Sequence, residues 1–581
     1  MSAICGFAGP GDAGTIQRML EAVAYRGDSS AVTSEPGIGI GYRFWGGRPG
    51  KSDGVLDDAT QLAAVAGSFA PPVASTTAEL ARLLADPARL ATLDGNFAAA
   101  HWDKHRRRLA LLRDPFGVRG MVYVVHAGVF YFASELKQLL AIPGLPIEPD
   151  PIAIHKYLTF SFTPGEDVPI KGVKRLLPGN IATWQDGALS ITPYFTLREE
   201  IEPALADQQQ AVRLIRERTH DAVARRLNGE TEVGLFLSGG IDSAGVGVWL
   251  KKAGVKVRAF TLDFGRQSVE KEQATTVAKA LDIPLTFVPV NGEDVGQILT
   301  DLVWKLDLPF GDPVTGPLYL LSKTAREAGL SCVFNGEGGD QLFGGWTSKP
   351  MVAAEIYSGV VTENTRVERY LESYHRFYGL EDRLYTPEFA KLVGTPGVRR
   401  AVLDPYLATN NAATFLNRIR LTDISLKGSQ NILPRMDRTA QCWGLDVRTP
   451  MFDRALAEAS FRLPPQMKLN GATEKYVLKL SLQNKLPDEI VWRRKYGMGV
   501  PIRDWTLGAL RGTIEELIGP AALKWRGYFR SEYVDELRQG RDTPDEIRGR
   551  RIGERLWTLA MLEAWLRIFV DGRGRKPGGI A

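Results

Sequence analysis

The sequence predicts two domains: a layered α+β domain, followed by an α/β domain with a parallel sheet and a helical C-terminal part. The chain has 581 residues, more than a single hydrophobic core usually serves. Its first third is a series of short apolar runs separated by Gly, Pro and Asp, whereas from residue 231 apolar runs alternate with helical patterns. The polar, acidic stretch at 197–208 is typical of a linker, so we place the domains at 1–205 and 206–581.

Residues 1–195 are predicted to form antiparallel strands covered by amphipathic helices. Four runs with strand character follow one another: NFAAAHWD at 96–103, RLALLRD at 108–114, GMVYVVHAG at 120–128 and VFYFASE at 129–135. Two segments space their apolar residues as helices do, GTIQRMLEAV at 14–23 and TTAELARLLA at 76–85. Helices layered on antiparallel strands are therefore expected.

From residue 231 the pattern predicts a parallel sheet with helices on both faces. The predicted strands are TEVGLFLSGG at 231–240, KVRAFTLDFG at 256–265, PLTFVPV at 284–290 and SCVFNGEGGD at 331–340. Helical segments separate them, at 242–254, 272–282 and 316–329. Beyond residue 350 the pattern is mostly helical, and residues 551–570 are apolar nearly all round, which predicts a buried helix.

Composition and charge exclude several classes of protein. The net charge is +5, and the basic clusters at 104–108 and 548–551 are short and interleaved with acidic sequence, which is typical of solvated surface rather than of a nucleic-acid site. The apolar runs are too short to span a membrane, and residues 1–10 lack the pattern of a signal peptide. Three cysteines and six histidines without ligand spacing predict neither a disulfide framework nor a zinc site. We expect a cytoplasmic protein with no nucleic-acid or membrane partner.

The segment LFLSGGIDS at 235–243 carries the clearest chemistry. It ends a predicted strand and opens a predicted helix, so Gly239 and Gly240 allow a tight turn whose N–H groups face inward. The hydroxyls of Ser238 and Ser243 add donors beside the positive end of the helix, which suits a pyrophosphate group. Asp242 would repel a bare phosphate, so we expect it to face a Mg²⁺ ion.

This segment resembles the PP-motif of ATP pyrophosphatases, and further motifs resemble the asparagine synthetase B superfamily. In the second half these are FNGEGGDQLFGGW at 334–346, GLDVRTPMFD at 444–453 and WRRKYGMGVP at 492–501. In the first half YRGD at 25–28, LDGNFAAAHWD at 93–103, RDPFGVRGMVYV at 113–124 and ASELKQLL at 133–140 resemble the glutaminase domain of that superfamily. The resemblance implies an N-terminal αββα domain similar to the N-terminal-nucleophile (Ntn) hydrolases. For the C-terminal domain it implies an adenine nucleotide alpha hydrolase fold.

The resemblance also implies the reaction and its residues. A carboxylate attacks the α-phosphate of ATP, and an amine then displaces AMP from the acyl-adenylate. ATP and Mg²⁺ are the implied cofactors. Glu337 is the implied catalytic base near the amine, and Lys495 the lysine that stabilises charge at the α-phosphate. Metal binding is assigned to Asp242 and Asp340. The implied nucleotide-binding residues are Leu237, Ser238, Gly239, Gly240, Asp242, Ser243, Leu262, Gly336 and Asp340.

The N-terminal half differs from the glutaminase domain of the superfamily at the positions that catalysis and glutamine binding require. An Ntn nucleophile needs its own α-amine, but the cysteine of this chain, Cys5, is four residues inside it. Phe44 stands where the resemblance expects an arginine, Ala66 and Ser68 fall where an Asn-Gly-Glu loop is expected, and Thr77 replaces an aspartate. We therefore expect no glutaminase activity and a buried Cys5.

A synthetase without a glutaminase needs another source of amine. Within the superfamily that the chain resembles, the resemblance favours a lasso-peptide macrolactam synthetase, with β-lactam synthetase-like enzymes as related forms. Its partners would be ATP, a peptide or small-molecule carboxylate, and in the lasso case a leader-peptide-binding protein and a protease. The alternative is an asparagine synthetase, or a related carboxylate amidase, fed by free ammonia or by glutamine. A PP-loop tRNA-modifying enzyme and a non-catalytic interaction protein are further alternatives.

Overall fold

The structure is a computed structural model that describes residues 2–46, 54–268, 270–345, 363–374, 376–394, 397–494, 497, 499–541 and 546–577. Within these residues, no helix has the length and apolar character that a membrane span requires.

The N-terminal half contains two antiparallel sheets. The first has the strand order β10-β8-β9-β1-β3-β2 and the second the order β12-β11-β7-β6-β5-β4. The strands are β1 (Ser2–Ala8), β2 (Ser29–Glu35), β3 (Ile38–Phe44), β4 (Val55–Asp57), β5 (Gln61–Phe69), β6 (Gly95–Asp103), β7 (Arg108–Arg113), β8 (Val122–His126), β9 (Val129–Ala133), β10 (Lys174–Arg175), β11 (Asn180–Gln185) and β12 (Ala188–Pro193).

Apolar side chains from both sheets meet in one core, to which Ile4 and Ile40 contribute from the first sheet and Leu62 and Leu111 from the second. The helix Ala13–Glu21 covers the outer face of the first sheet, where its apolar residues pack with those of β1. The helix Thr76–Ala85 covers the second sheet in the same way. The helix–sheet–sheet–helix order confirms the predicted αββα layers.

The four strand runs predicted from the sequence are β6 to β9, but the chain changes sheet between the second and the third. β6 pairs with β7, β8 pairs with β9, and the two pairs lie in different sheets. The crossing is built around Asp114, a buried carboxylate that accepts hydrogen bonds from the backbone N–H groups of Phe116, Val118 and Arg119 at 3.0–3.2 Å. No alternation of apolar residues could reveal this change of sheet, because both sheets share the same pattern.

The C-terminal half contains a parallel sheet with the strand order β15-β14-β13-β16-β17, which confirms the predicted α/β class. Four of its strands follow the four predicted runs, and the segment 444–453 supplies the fifth. The strands, with those of a short hairpin, are β13 (Glu232–Phe236), β14 (Lys256–Asp263), β15 (Leu285–Pro289), β16 (Cys332–Phe334), β17 (Asp446–Arg448), β18 (Leu469–Asn470) and β19 (Thr473–Glu474). We keep 1–205 and 206–581 as the proposed domains.

Helices cover this sheet and form most of the chain beyond it. The predicted buried helix is Glu546–Leu566, in which Trp557 and Trp565 are fully buried. The α-helices are Ala13–Glu21, Thr76–Ala85, Pro87–Leu90, Leu136–Leu140, Pro151–Phe160, Gln208–Leu227, Ile241–Lys252, Lys271–Leu281, Gly292–Leu306, Thr315–Glu327, Gly339–Phe343, Glu363–Glu372, Glu381–Leu384, Pro387–Val393, Val398–Leu407, Phe415–Thr422, Leu433–Gln441, Arg454–Arg462, Pro465–Lys468, Tyr476–Leu482, Asp488–Val491, Ile502–Leu507, Arg511–Ile518, Pro520–Arg526, Ser531–Arg538 and Glu546–Leu566. Residues Asp423–Ile432 and Arg567–Asp571 are π-helical, and short 3₁₀ turns lie at Ala24–Arg26, Pro203–Ala206, Gly265–Gln267 and Pro450–Phe452.

A buried cluster of charges, called here the interface cluster, joins the two halves. It consists of Arg26, Glu135 and Lys137 from the first half with Asp307 and Arg438 from the second. The Glu135 carboxylate contacts Arg26 and Lys137 and lies 2.9 Å from a guanidinium nitrogen of Arg438. Asp307 accepts a hydrogen bond from the backbone N–H of Lys137 at 2.9 Å. These attractive contacts hold the pKa of Glu135 far below its usual value despite its burial.

Candidate active site

The candidate site lies at the carboxyl edge of the parallel sheet, where the strand order reverses. The chain runs from β13 outward to β14 and β15, and then crosses back to place β16 on the other side of β13. The loops after β13 and β16 therefore diverge at this point and leave a crevice between them. The two glycine-rich segments singled out from the sequence are these two loops.

The first loop links β13 to the helix Ile241–Lys252, as predicted. Gly239 adopts a φ of +70°, and a Cβ there would come within 2.6 Å of the backbone nitrogen of Ala274, so both the turn and the packing require glycine. The two loop hydroxyls, Ser238 Oγ and Ser243 Oγ, lie 3.2 Å apart. The backbone N–H of Ser238 also donates to Ser243 Oγ at 3.2 Å, which holds the hydroxyls together at the helix N-terminus.

The second loop follows β16 and leads into the short helix Gly339–Phe343. The backbone N–H of Glu337 donates to the Asn335 side chain at 3.0 Å, which sets the course of the loop. A Cβ on Gly336 would lie 2.3 Å from the backbone nitrogen of Ser243, and a Cβ on Gly339 would lie 2.2 Å from Asp242 Oδ1. These glycines let the two loops touch along their length.

Lys475 joins the two loops electrostatically. Its ammonium nitrogen lies 2.5 Å from Asp242 Oδ2 and 2.6 Å from Asp340 Oδ1, and its side chain is 1% exposed. Its backbone is left-handed, with φ +54°, an uncommon conformation for a residue with a side chain. The carboxylates of the two aspartates predicted from the sequence thus contact the same ammonium group. Lys475 was not predicted from the sequence, because it stands far from either glycine-rich loop in an ordinary Glu-Lys-Tyr context.

The two loops open onto a cavity of about 350 Å³. Eight of the predicted site residues line it: Leu237, Ser238, Asp242, Ser243, Leu262, Gly336, Glu337 and Asp340. Gly239 and Gly240 form the turn beside the cavity without lining it. Lys495 lies outside the described residues, although Gly497 and Val500, close to it in sequence, are on the cavity wall.

The charge on the cavity wall is mainly negative. Of the described residues that line the cavity, six are carboxylates, Asp242, Glu270, Asp312, Glu337, Asp340 and Glu554, and three are cations, Arg376, Lys427 and Arg435. Sequence reasoning found three of the carboxylates and none of the three cations. A polyphosphate entering such a wall needs added positive charge, so the donor set fits a divalent cation bound with the nucleotide.

Comparison with known proteins decides the family. A model of the asparagine synthase family matches residues 214–567, which include both loops, Lys475 and every cavity residue named above. This chain belongs to the asparagine synthase family. A model of the glutamine amidotransferase domain matches residues 82–195.

Curated relatives agree with this assignment. The chain is 27% identical over 508 residues to asparagine synthetase [glutamine-hydrolyzing] 1 of Bacillus subtilis, covering 83% of this chain and 78% of that protein. It is 26% identical to asparagine synthetase [glutamine-hydrolyzing] 3 of the same organism, over 69% of this chain and 67% of that one. It is 24% identical to the amidase chyE of Penicillium rubens, over 84% and 80% of the two chains. The protein is thus an asparagine synthetase-like, AMP-forming carbon–nitrogen ligase, and its family uses ATP.

In this synthetase the cysteine of the N-terminal domain is a core residue. Cys5 lies in the middle of β1, paired with Gly41 on one side and Ala133 on the other, and is fully buried, as the sequence predicts. Burial raises the pKa of its thiol far above the usual value. A thiol that stays protonated, with peptide bonds on both sides, has neither the thiolate nor the α-amine of an Ntn nucleophile.

The positions at which the resemblance places the glutamine-binding groups carry neither a cation nor a carboxylate. Phe44 and Ser68 line a cavity of about 100 Å³, while Ala66 and Thr77 are buried beside it. Arg43, one residue from the expected arginine, donates instead to the backbone carbonyl of Gly27 at 2.8 Å.

Proposed function

We propose that this synthetase converts a small carboxylic acid to its acyl-adenylate and amidates it with ammonia that its own N-terminal domain does not release from glutamine. The observation that carries this proposal is the position of Cys5, a strand residue in the core with a protonated thiol. The glutamine amidotransferase match begins at residue 82, beyond every position at which the nucleophile and the amide-binding groups would stand.

The first step uses the loop after β13. The hydroxyls of Ser238 and Ser243 and the N-terminus of the helix Ile241–Lys252 would bind the pyrophosphate that leaves as the carboxylate attacks. Asp242 and Asp340 would hold the Mg²⁺ bound with the nucleotide, which supplies charge neutralisation at the phosphate oxygens. The Lys475 ammonium, which pairs with both carboxylates, orients them toward each other.

The second step uses the loop after β16 and the segment that contains Lys495. Glu337, on the cavity wall, would accept a proton from the attacking amine, since ammonia must lose a proton as the amide forms. Lys495 would stabilise charge at the α-phosphate in both steps, as the resemblance of WRRKYGMGVP to the family motif implies. Leu262, at the carboxyl end of β14, would contact the adenine.

We place amidation ahead of the macrolactam synthesis expected from the sequence, because the relatives described above are named as asparagine synthetases and an amidase. The two synthetases are named glutamine-hydrolyzing, so the choice of ammonia over glutamine rests on the burial of Cys5. In the macrolactam case the amine would be a peptide N-terminus, and a leader-peptide-binding protein and a protease would be partners. The partners of the proposed reaction are ATP, a small carboxylic acid and ammonia.

The test is product analysis with purified full-length protein. The protein is incubated with ATP, Mg²⁺ and a panel of acids that includes L-aspartate, L-glutamate and succinate, with either ammonium chloride or glutamine. We expect AMP, pyrophosphate and an amide with ammonium, and no amide with glutamine. Mass spectrometry identifies the amide, and nucleotide chromatography distinguishes AMP from ADP.

Two variants serve as the test of the phosphate loop and its control. Ser238→Ala should lower pyrophosphate formation, whereas Ser190→Ala, on the exposed face of β12, should not. Release of ADP and phosphate would contradict adenylation. Amide formation that depends on glutamine would contradict the loss of the glutaminase, and activity restricted to an added peptide with a free N-terminus would favour the macrolactam alternative.

A further inference from the structure

Lys427 is a cation on the cavity wall for which the described residues provide no hydrogen-bond or ion-pair partner. The other two cations of the wall are neutralised by carboxylates that also line the cavity. Arg435 pairs with Asp312, and Arg376 pairs with Glu554. The Lys427 ammonium is therefore the positive charge of the described wall that is available to a ligand.

An unusual backbone presents Lys427 to the cavity. Residues Asp423–Ile432 form a π-helix, in which hydrogen bonds span five residues, and such segments often occur at functional sites. Two side chains follow the same spacing, since Ser429 Oγ donates to the carbonyl of Ile424 at 2.9 Å and Gln430 Nε2 donates to that of Ser425 at 3.0 Å. Lys427 and Ile432, five residues apart, both face the cavity.

The π-helix is fixed beside the loop that carries Glu337. A Cβ on Gly428, next to Lys427, would lie 2.7 Å from the ring of Phe452, and a Cβ on Gly338, next to Glu337, would lie 2.9 Å from the same ring. The two backbones thus pack on opposite edges of one aromatic side chain. Arg420, just before the π-helix, donates to the backbone carbonyl of Asp340 at 2.8 Å. Lys427 consequently lies at the end of the cavity where the amide would form.

We infer that Lys427 is a specificity-determining residue that binds a second anionic group of the acyl substrate, in addition to the carboxylate that is activated. This inference rests on the proposed function. A second anion at that end of the cavity would otherwise meet a wall on which carboxylates outnumber cations. A charge-assisted hydrogen bond from Lys427 offsets that repulsion and fixes which carboxylate reaches the nucleotide.

The experiment compares matched acids that differ in the second charge. L-Aspartate is paired with its α-amide, L-isoasparagine, and succinate with its monoamide, succinamate. Pyrophosphate release is measured with ATP, Mg²⁺ and ammonium for the wild type, Lys427→Met and Lys427→Arg. We expect the wild type to prefer a diacid over its monoamide by about ten- to hundredfold in kcat/KM, as expected for a hydrogen bond to a charged group.

Lys427→Met should raise the KM for the diacid by a similar factor and leave the KM for ATP unchanged, while Lys427→Arg should restore part of the preference. Lys323→Met, on the outer surface of the helix Thr315–Glu327, is the control, and thermal melting checks that each variant is folded. A diacid preference that survives in Lys427→Met overturns the inference, and so does a rise in the KM for ATP, which would assign the lysine to the phosphates. A wild type that releases no pyrophosphate with any acid overturns the proposed function and this inference with it.

Discussion

The backbone of Gly336 lies directly against that of Ser243, so closely that a Cβ on the glycine would sit 2.3 Å from the serine nitrogen. The two loops at the reversal of the strand order therefore depend on each other for their shape. Substituting Gly336 by Ala should push the loop after β16 away from the hydroxyls at Ser238 and Ser243. Because a misplacement of about 1 Å costs on the order of 10² in rate, we expect pyrophosphate formation to fall by about that factor.

The measurement for Gly336→Ala is ATP–pyrophosphate exchange with the best acid of the panel. Gly512→Ala is the matched control, since no atom lies within 4 Å of the added carbon and the residue is helical. Exchange that is unchanged in Gly336→Ala would show that the contact between the loops does not position the phosphates.

Lys475→Met should make the stability of the protein depend on Mg²⁺. Without the ammonium, the carboxylates of Asp242 and Asp340 would lose the cation that lies between them, and breaking a buried ion pair typically costs about 3–5 kcal/mol. We expect a lower Tm than the wild type in chelator, with part of the difference recovered in millimolar Mg²⁺. Thermal unfolding with and without Mg²⁺ measures this, and Lys485→Met, an exposed lysine, is the control. An equal loss of stability under both conditions would argue against a cation site at these aspartates.

Cys5→Ala should leave amide formation from ammonia intact. The thiol is buried with a raised pKa, so its removal takes away only a small core side chain. Neither the wild type nor the variant should release glutamate from glutamine, with or without ATP, as followed by a glutamate assay. Glutamate release that disappears in Cys5→Ala would restore the nucleophile role.

Glu337→Gln should separate the two chemical steps. Adenylation involves no amine, so ATP–pyrophosphate exchange should persist, while amide formation falls by on the order of 10²–10⁴, the usual loss on removing a general base. Lys495→Ala should depress both steps. If Glu337→Gln abolished exchange as completely as amide formation, with its fold intact, the glutamate would belong to the nucleotide site.

Glu135→Gln should destabilise the whole chain rather than one half. The change removes the carboxylate that Arg26 and Arg438 share, and breaking a buried ion pair typically costs about 3–5 kcal/mol. Asp437, 3.7 Å from Arg26, and Asp307, 3.4 Å from Arg438, offset part of that loss. We expect one calorimetric transition, shifted to lower temperature. Two separate transitions would show that the halves unfold independently of the interface cluster.

The sequence was sufficient to predict those parts of the site whose residues are neighbours in the chain. The turn at Ser238–Ser243 and the loop at Gly336–Asp340 each combine glycines with donors or carboxylates within a few residues, so their chemistry can be inferred without a fold. The parallel sheet also followed from the alternation of strand and helix patterns.

The remainder depends on contacts between distant segments. Lys475 meets Asp242 across 233 positions of the chain, and Arg435 meets Asp312 across 123, and neither pair is marked by spacing or periodicity. Lys427 was missed for a further reason, because a π-helix does not follow the 3.6-residue period by which a helix face is recognised. The crossing between sheets at Asp114 could not be predicted either, because the strands of the two sheets have the same pattern of apolar residues.

The interface cluster limits how this enzyme can be shortened or recombined. A gene cut near residue 205 would leave Asp307 and Arg438 facing water on one fragment, and Arg26, Glu135 and Lys137 exposed on the other, each amid apolar surface suited to a partner. Deleting the N-terminal domain would therefore expose buried charges rather than yield a minimal synthetase. A chimera with another member of the family would need all five charged positions transplanted together. The N-terminal half is retained in this chain as one side of a shared interior.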